Sequence, residues 1–379
     1  MSKFKLWESF TDNSLHKAKE VADFLQDEFC PSGADIMWSS DYFNWKLGDP
    51  NPSGKGYLSY ALHEDKVVGS ATLTKKRVLL DGIEYIAGEV GDTYTSTYFR
   101  RKCKPISMIR TDSNPNSYVN RSIFGRLITE LVHKSKECGV SIIYGTPNNN
   151  SYPGYTNRLG FVDYKQYGNT AYYRPTAQLL LAKYPILSPF RFIIKKTELL
   201  TIAIQNLLYS RFLNREVTVS DSTPSAEDIN QLWLRIKPEF GFSLVRDALY
   251  WKHRYSDHPH AKYQFINFRR NGELVAVVVT RKFSSRADNS SVAVVEWMNE
   301  DGFQFGYILA VVMDLYKTSK VNYIYTWLQS STKNSRIATR NLFAFKKQAP
   351  IIFADNSISR KLLASEKEVN FFLGSSDAI

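Results

Sequence analysis

Apolar and polar positions change period several times along the chain, and each change marks an element. Over residues 14–29, Val21, Phe24, Leu25 and Phe29 recur at helical spacing behind a capping Ser14, so an amphipathic helix is predicted. A shorter helix is predicted over 39–47, followed by turn material in LGDPNPSGKG. Alternation then sets in. GYLSYALHED, a turn at EDK, KVVGSATLTKKRVLL, a tight turn at Asp81–Gly82 and IEYIAGEVGD together predict an antiparallel meander. A basic, turn-rich stretch at 98–117 interrupts the pattern as an insertion. A helix over 119–138 follows, with Ile123, Phe124, Leu127, Leu131 and Val132 on its apolar side and Gly139 at its end. SIIYG is a short apolar strand, and the helix before it predicts parallel pairing. A loop and a helix closing on Leu159-Gly160-Phe161 come next, and 162–175 reads as a closing hairpin.

The second half repeats the first. DYFNWK at 41–46 returns as DALYWK at 247–252, and Tyr57 matches Tyr263 at the same offset of 206. Later, KSKECGVSIIYG matches KTSKVNYIYTW, with Ile143 on Ile324 at an offset of 181. The 25-residue difference is about the size of the insertion at 98–117, which points to an internal duplication. We therefore expect a mixed α/β fold, with mainly antiparallel sheet flanked by helices. The expected units are an N-terminal domain (1–175), a connector (176–215) and a C-terminal domain (216–379). Two domains also suit a chain of 379 residues. Within the connector, residues 192–213 form a long helix that is apolar on most sides. It reads either as clamped between domains or as lying at a membrane interface, with Arg191, Lys195 and Lys196 flanking it.

Composition narrows the class. Hydrophobic content of 43% with 23% charged residues fits a soluble globular protein. Cys30, Cys103 and Cys138 lack C-x-x-C pairing, which argues against a disulfide framework and a zinc ribbon and suits a reducing compartment. No apolar h-region opens the chain and no apolar run reaches spanning length. The expected location is cytoplasmic, with peripheral contact to the inner membrane open through 192–213. A net charge of +12 reflects either an anionic partner or a basic solvated surface. The basic residues are scattered and do not interleave with aromatics, which argues against nucleic acid.

Candidate chemistry concentrates in 89–161. A helix start at 118–125 offers unpaired backbone N–H groups and a positive dipole end, with Arg121 adding charge; neither a Walker loop nor G-x-G-x-x-G is present. Glu89 and Asp92 end a strand, as a general base or as edge carboxylates tied to a loop. Alternation puts them on opposite faces unless a bulge intervenes. Tyr152 and Tyr155 offer a phenol to protonate a leaving group, or simple packing. Asn148, Asn149 and Asn150 recognise a polar ligand or cap a helix. His253, His258 and His260 have metal-like spacing but no carboxylate or cysteine partners, so they read as a turn and no metal site is expected.

Four motifs carry a resemblance: Gly91-Asp92-Thr93-Tyr94-Thr95, Ile123-Phe124-Gly125-Arg126-Leu127, Tyr144-Gly145-Thr146-Pro147-Asn148, and Tyr155 through Phe161. Together with the order of elements, they resemble the GCN5-related N-acetyltransferase (GNAT) superfamily over about residues 1–175. The internal repeat extends this to two tandem GNAT-like domains. The resemblance implies transfer of an acyl group, most simply from acetyl-CoA, to a small-molecule amine; by association that amine is an amino sugar or a similar cell-surface precursor. It places Val90 and Gly91 along the pantetheine arm and Val119, Asn120, Arg121, Ser122, Ile123 and Phe124 at the pyrophosphate, with Asn148 nearby. It makes Glu89 or Asp92 the base and Tyr155 the acid. The phosphate loop departs from the family pattern: the leading Arg and central Gly are replaced, and Ser122 brings a Cβ where Gly allows close approach. DGFQFGYILAVV in the second half has no such loop. A FemABX-like aminoacyl transferase and a non-catalytic scaffold on the same fold are the alternatives.

Overall fold

The structure is a computed structural model that describes residues 5–29, 38–100, 103–105, 118–164, 168–211, 217–283, 290–301, 303–319, 321–329, 332–362 and 368–370. The chain opens with β1 (Lys5–Asp12), which the sequence pattern did not predict, then α1 (Ala18–Phe29) and α2 (Ser40–Leu47). The expected meander follows as β2 (Tyr57–His63), β3 (Lys66–Leu80) and β4 (Ile83–Thr95). Glu64 and Asp65 turn the first hairpin with φ of 49° and 62°, and Asp81 and Gly82 the second with 48° and 87°. Two-residue turns with both φ positive match the right-handed twist of the strands they join. Part of the insertion forms β5 (Cys103–Pro105), parallel to β1; residues 101–102 and 106–117 lie outside the described residues. The half ends with α3 (Tyr118–Arg121), α4 (Ile123–Glu137), β6 (Ile142–Gly145), α5 (Tyr152–Arg158) and β7 (Phe161–Asp163).

Next come β8 (Asn169–Pro175), α6 (Ala177–Lys183) and α7 (Arg191–Arg211). The later half runs β9 (Val217–Ser220), α8 (Ala226–Ile236), β10 (Phe240–Leu244), α9 (Ala248–Trp251), β11 (Gln264–Arg270), β12 (Glu273–Phe283) and β13 (Ser291–Asn299). It closes with α10 (Phe305–Tyr316), β14 (Tyr323–Gln329), α11 (Lys333–Arg340), β15 (Ala344–Ala349), β16 (Ile352–Ala354), α12 (Ser357–Leu362) and β17 (Glu368–Asn370). Both halves contain a parallel strand pair. β4 and β6 pair in parallel with Ile143 opposite Gly88, and β13 and β14 do the same with Ile324 opposite Val292.

The two sheets exchange strands reciprocally. One runs β5-β1-β2-β3-β4-β6-β16-β7, the other β15-β8-β14-β13-β12-β11-β9. The first half thus sends β8, and the later half β16, into the other half's sheet, between the parallel strand and the one after it. The hairpin expected over 162–175 is therefore corrected: β7 and β8 lie in different sheets. The sheets do not follow the residue limits 1–175 and 216–379, since β10 also pairs with β3, Phe242 opposite Leu80. Packing follows the exchange. Val78, Leu80, Ala87 and Tyr144 share one core with Phe242, Leu244 and Phe353, and Phe353 stacks on Tyr164 at 5.6 Å. On its other face the first sheet packs Val90 and Val68 against Ile123, Leu127 and Leu131 of α4, the side the sequence predicts.

Candidate active site

The parallel pairing of β4 with β6 runs from Ala87↔Ile142 to Val90↔Gly145 and stops there. β4 continues to Thr95, paired among the described residues only with β3, and its register shifts where Gly91 and Tyr94 face Thr72 and Ser70. That bulge holds Asp92 at a φ of +42°. A bulge re-aims side chains that would otherwise alternate, and its effect here is specific. Asp92 is gripped by Lys46 Nζ at 2.7 Å and Thr72 Oγ1 at 3.0 Å on one oxygen, and by Trp38 Nε1 at 3.0 Å on the other. Glu89, 2% exposed within the paired section, is held by Lys76. Lys46 and Lys76 both line one cavity of about 30 Å³ at the seam between the halves, with Thr74, Leu244, Tyr250 and Arg254. The lysines that hold the two carboxylates thus meet at one place.

Tyr155 lies on the other side of β4, beside α4. Its ring packs edge-on against Phe124 and Phe161, with centroids 5.0 and 5.1 Å away. Its hydroxyl is 3.1 Å from Thr93 Oγ1, and Thr93 Oγ1 donates in turn to Gly91 O at 3.1 Å. With the threonine proton committed to that carbonyl, the phenol is the donor in the Tyr155–Thr93 bond. Burial pushes the Tyr155 pKa far above the ordinary tyrosine value, and the Thr93 bond opposes this only in part. A protonated, buried phenol therefore sits directly behind the bulge.

The predicted anion cradle has a different form from an open loop. Tyr118–Arg121 make the helical turn α3, and Ser122 caps α4 by accepting from Gly125 N at 3.1 Å. Ser122 thereby occupies one of the first-turn N–H groups that an anion would use. Asn120 is buried and Arg121 exposed, while Val119 and Phe124 are half-buried and Ile123 is buried against the sheet. Asn148 is exposed, and its side-chain oxygen accepts from the backbone N–H groups of Asn150 and Ser151, shaping the turn into α5. Tyr152 sends its hydroxyl to Asp163 at 2.7 Å, away from Tyr155's chain. The structure thus brings Thr93, Phe124 and Tyr155 together beside α4, holds Asp92 on the opposite side of β4 with Lys46, and leaves Asn148 in a local turn. The histidines pack rather than converge: His253 and His258 lie against Trp45, with centroids 4.9 and 4.4 Å away, and His260 bonds Ser39 Oγ.

Sequence reasoning missed Lys46, Lys76 and Trp38. The signal for Lys76 is a basic run, Lys75-Lys76-Arg77, inside an otherwise apolar strand. It also missed Glu296, fully buried on β13, which takes Arg246 Nε at 2.8 Å and the hydroxyls of Tyr250 and Tyr255. A lone glutamate in VVEWM was its signal.

No family model matches the sequence, and no curated protein sequence does. Solved structures match over nearly the whole chain. A probable N-acyltransferase from Enterococcus faecalis superposes with a TM-score of 0.56 at 12% identity, over 92% of this chain and 72% of that one. Saccharomyces cerevisiae N-myristoyltransferase with bound myristoyl-CoA gives 0.55 at 10% identity, over 92% and 82%. A GCN5-related N-acetyltransferase from Anabaena variabilis gives 0.55 at 8% identity, over 91% and 72%. The mixed α/β fold expected from the sequence is the observed one, and it is GNAT-like.

Proposed function

We propose that the chain is an acyl-CoA-dependent N-acyltransferase built from two GNAT-like domains, with the acyl-CoA bound by the first and a small primary amine as acceptor. The observation that carries this reading is the parting of β4 from β6 at Val90↔Gly145, beside the start of α4 and a protonated Tyr155. A strand edge without a neighbour offers backbone donors and acceptors to an extended amide-bearing chain such as pantetheine. In this reading Val90 and Gly91 line that arm. Ser122, Ile123 and Phe124 meet the pyrophosphate at the positive end of α4, with Arg121 supplying charge. Tyr155 donates its proton to the leaving thiolate. Asp92 lies beyond the parting point while Glu89 lies within the paired section, so Asp92 is the nearer carboxylate to take the proton of the attacking amine, once it gives up its bond from Lys46. The named neighbours include a protein with bound myristoyl-CoA, so the length of the acyl chain is part of the question.

The test is calorimetric titration with acetyl-CoA and myristoyl-CoA, followed by an assay of CoA thiol release with a panel of amines. Binding that weakens in Arg121→Ala supports the reading; absence of binding to either thioester at millimolar concentration overturns it. A non-catalytic binding protein is the second reading. It is favoured by Ser122, whose hydroxyl fills the helix start itself. Ser122→Gly separates the two, since it removes the competing cap and should tighten CoA binding only if the cradle is used.

A further inference from the structure

Helix α7 leaves most of its apolar residues exposed. It covers α10 as an outer layer on the second sheet, and Tyr209 packs so closely on Gly306 that no side chain fits there. The face it turns inward is mixed: Ile202 and Tyr209 pack on the core of the second sheet, beside several polar groups. Glu198 accepts from Ala177 N at 3.2 Å, Gln205 accepts from Arg174 at 3.2 Å, and Asn206 is half-buried beside them. The face it turns outward is apolar: Phe192, Leu200, Ile204, Leu207 and Leu208 are 47–68% exposed. Ile186 and Phe190, in the turn before α7, are 83% and 55% exposed and extend the patch. A helix on a water-facing surface has the opposite polarity, and an apolar patch of this continuity marks an interaction surface.

The charge around the patch identifies the occupant. From Ala177 to Arg211 the sequence holds five basic residues (Lys183, Arg191, Lys195, Lys196 and Arg211) and one acid. That acid, Glu198, is on the inward face. Lys196 lays its ammonium over the Phe192 ring at 4.5 Å, and Lys183 lies over Tyr184 at 5.5 Å, so cations border the apolar face. A second copy of the chain would bring the same cations together across a twofold contact. An anionic lipid surface complements both features: acyl chains take the leucines and headgroups take the lysines. Among the described residues no helix is long and apolar enough to cross a membrane, which suits a helix lying in the interface plane.

We propose that the α6–α7 surface docks the protein on an anionic membrane, with the outward stripe of α7 buried among the lipid acyl chains. The inference stands independently of the acyl-transfer reading. Co-sedimentation of the full-length chain with vesicles of phosphatidylcholine alone, and of phosphatidylcholine mixed with phosphatidylglycerol, tests it. Binding is expected to the mixed vesicles and to weaken as salt rises. Lys195→Gln with Lys196→Gln should weaken it roughly thirtyfold, taking each cation near the surface at about its usual contribution. Leu200→Glu with Ile204→Glu should abolish it. All four positions are exposed or border solvent, so unchanged melting curves show that the variants fold. Two results overturn the proposal: no partitioning onto the mixed vesicles, or equal partitioning of the Leu200→Glu/Ile204→Glu variant. If that variant instead converts a dimer to a monomer in sedimentation velocity, while vesicles bind neither form, the patch is an interface between copies.

Discussion

The substitution Tyr155→Phe separates chemistry from structure. The ring sits between Phe124 and Phe161, and phenylalanine keeps both edge-on contacts. One hydrogen bond is lost, from the phenol to Thr93, while Thr93 keeps its own bond to Gly91 O. A single neutral hydrogen bond contributes about 1 kcal/mol net, and removing the whole hydroxyl leaves a shared acceptor rather than an unpaired donor. The variant should therefore melt within a few degrees of the parent. If the phenol protonates the leaving thiolate, the rate should fall about 10²–10⁴-fold, which corresponds to roughly 3–5 kcal/mol of barrier.

The assay is release of free CoA thiol, with kcat and KM measured separately on the acyl-CoA and amine that bind best. Loss should fall on kcat, because a proton given to the leaving thiolate acts only in the transition state. The pH dependence carries a second signature. Burial holds the Tyr155 phenol protonated well beyond the ordinary tyrosine value of about 10, so the parent should show no decline from loss of this proton below pH ~10. A Tyr155→Phe enzyme that works within about twofold of the parent would refute the role of Tyr155 as acid, and with it the functional meaning assigned to the Tyr155–Thr93–Gly91 chain.

Phe353→Ala should cost about 3–5 kcal/mol in denaturant melts, because Phe353 belongs to the second half yet packs on Tyr144, Tyr164 and Phe242. Hydrogen exchange should then accelerate in β6 and β7, the neighbours of β16, before it does so in β9 to β13. Glu296→Gln removes the charge facing a fully buried Arg246 and should lower stability by about 3–5 kcal/mol. A loss below about 1 kcal/mol would show that the tyrosines, not the ion pair, hold that cluster. Asp228 is lowered to a pKa of about 2, first by its hydrogen bond from Arg269 and then by the Ser225 capping box, against opposing desolvation. A depressed folded-state pKa gives stability that is present above the unfolded value of about 3.9 and lost as pH falls through about 2. Asp228→Asn should therefore be less stable than the parent at pH 7 and equal to it below pH ~2, as measured by urea melts at each pH.

The parts legible in the sequence are those whose information is local. The hairpins at Glu64–Asp65, Asp81–Gly82 and Asn271–Gly272 are set by residues at the turn itself. α4 is written in a stripe that one sheet face then buries. β1 was not legible because it lies at the sheet's edge region with Leu6 and Phe10 facing outward, which spoils the alternation. The strand exchange was not legible either: β8 and β16 are short, ordinary strands, and a strand's partner is not encoded in its own pattern. At the site, Glu89, Asp92 and Tyr155 stood out as polar groups near a strand end. Lys46 and Lys76 did not, because a lysine in sequence reads as solvated until a buried carboxylate is shown to hold it. The bulge at Asp92 was foreseen only as a condition, since bulges depend on the register of the neighbouring strand.

The two halves of the chain differ at the starts of their central helices, and one helix accounts for much of the difference. In the first half, α4 begins at Ser122, and the strand beside it ends in a bulge with Asp92 on lysine. In the second, Tyr209 of α7 covers the first turn of α10 at Gly306, and Asn341 fixes its hydroxyl at 2.8 Å. β13 carries its carboxylate, Glu296, into a buried cluster with arginine and two tyrosines. A helix start covered by an aromatic ring has no room for a diphosphate, and in the proposed reading the second half therefore supports the first. It does so through β10 and β16, which complete the first sheet, and through His253 and His258, which brace Trp45 beside Lys46. The helix that closes the second half spends its inner face on α10. Its outer face is where exposed large apolar side chains collect among the described residues.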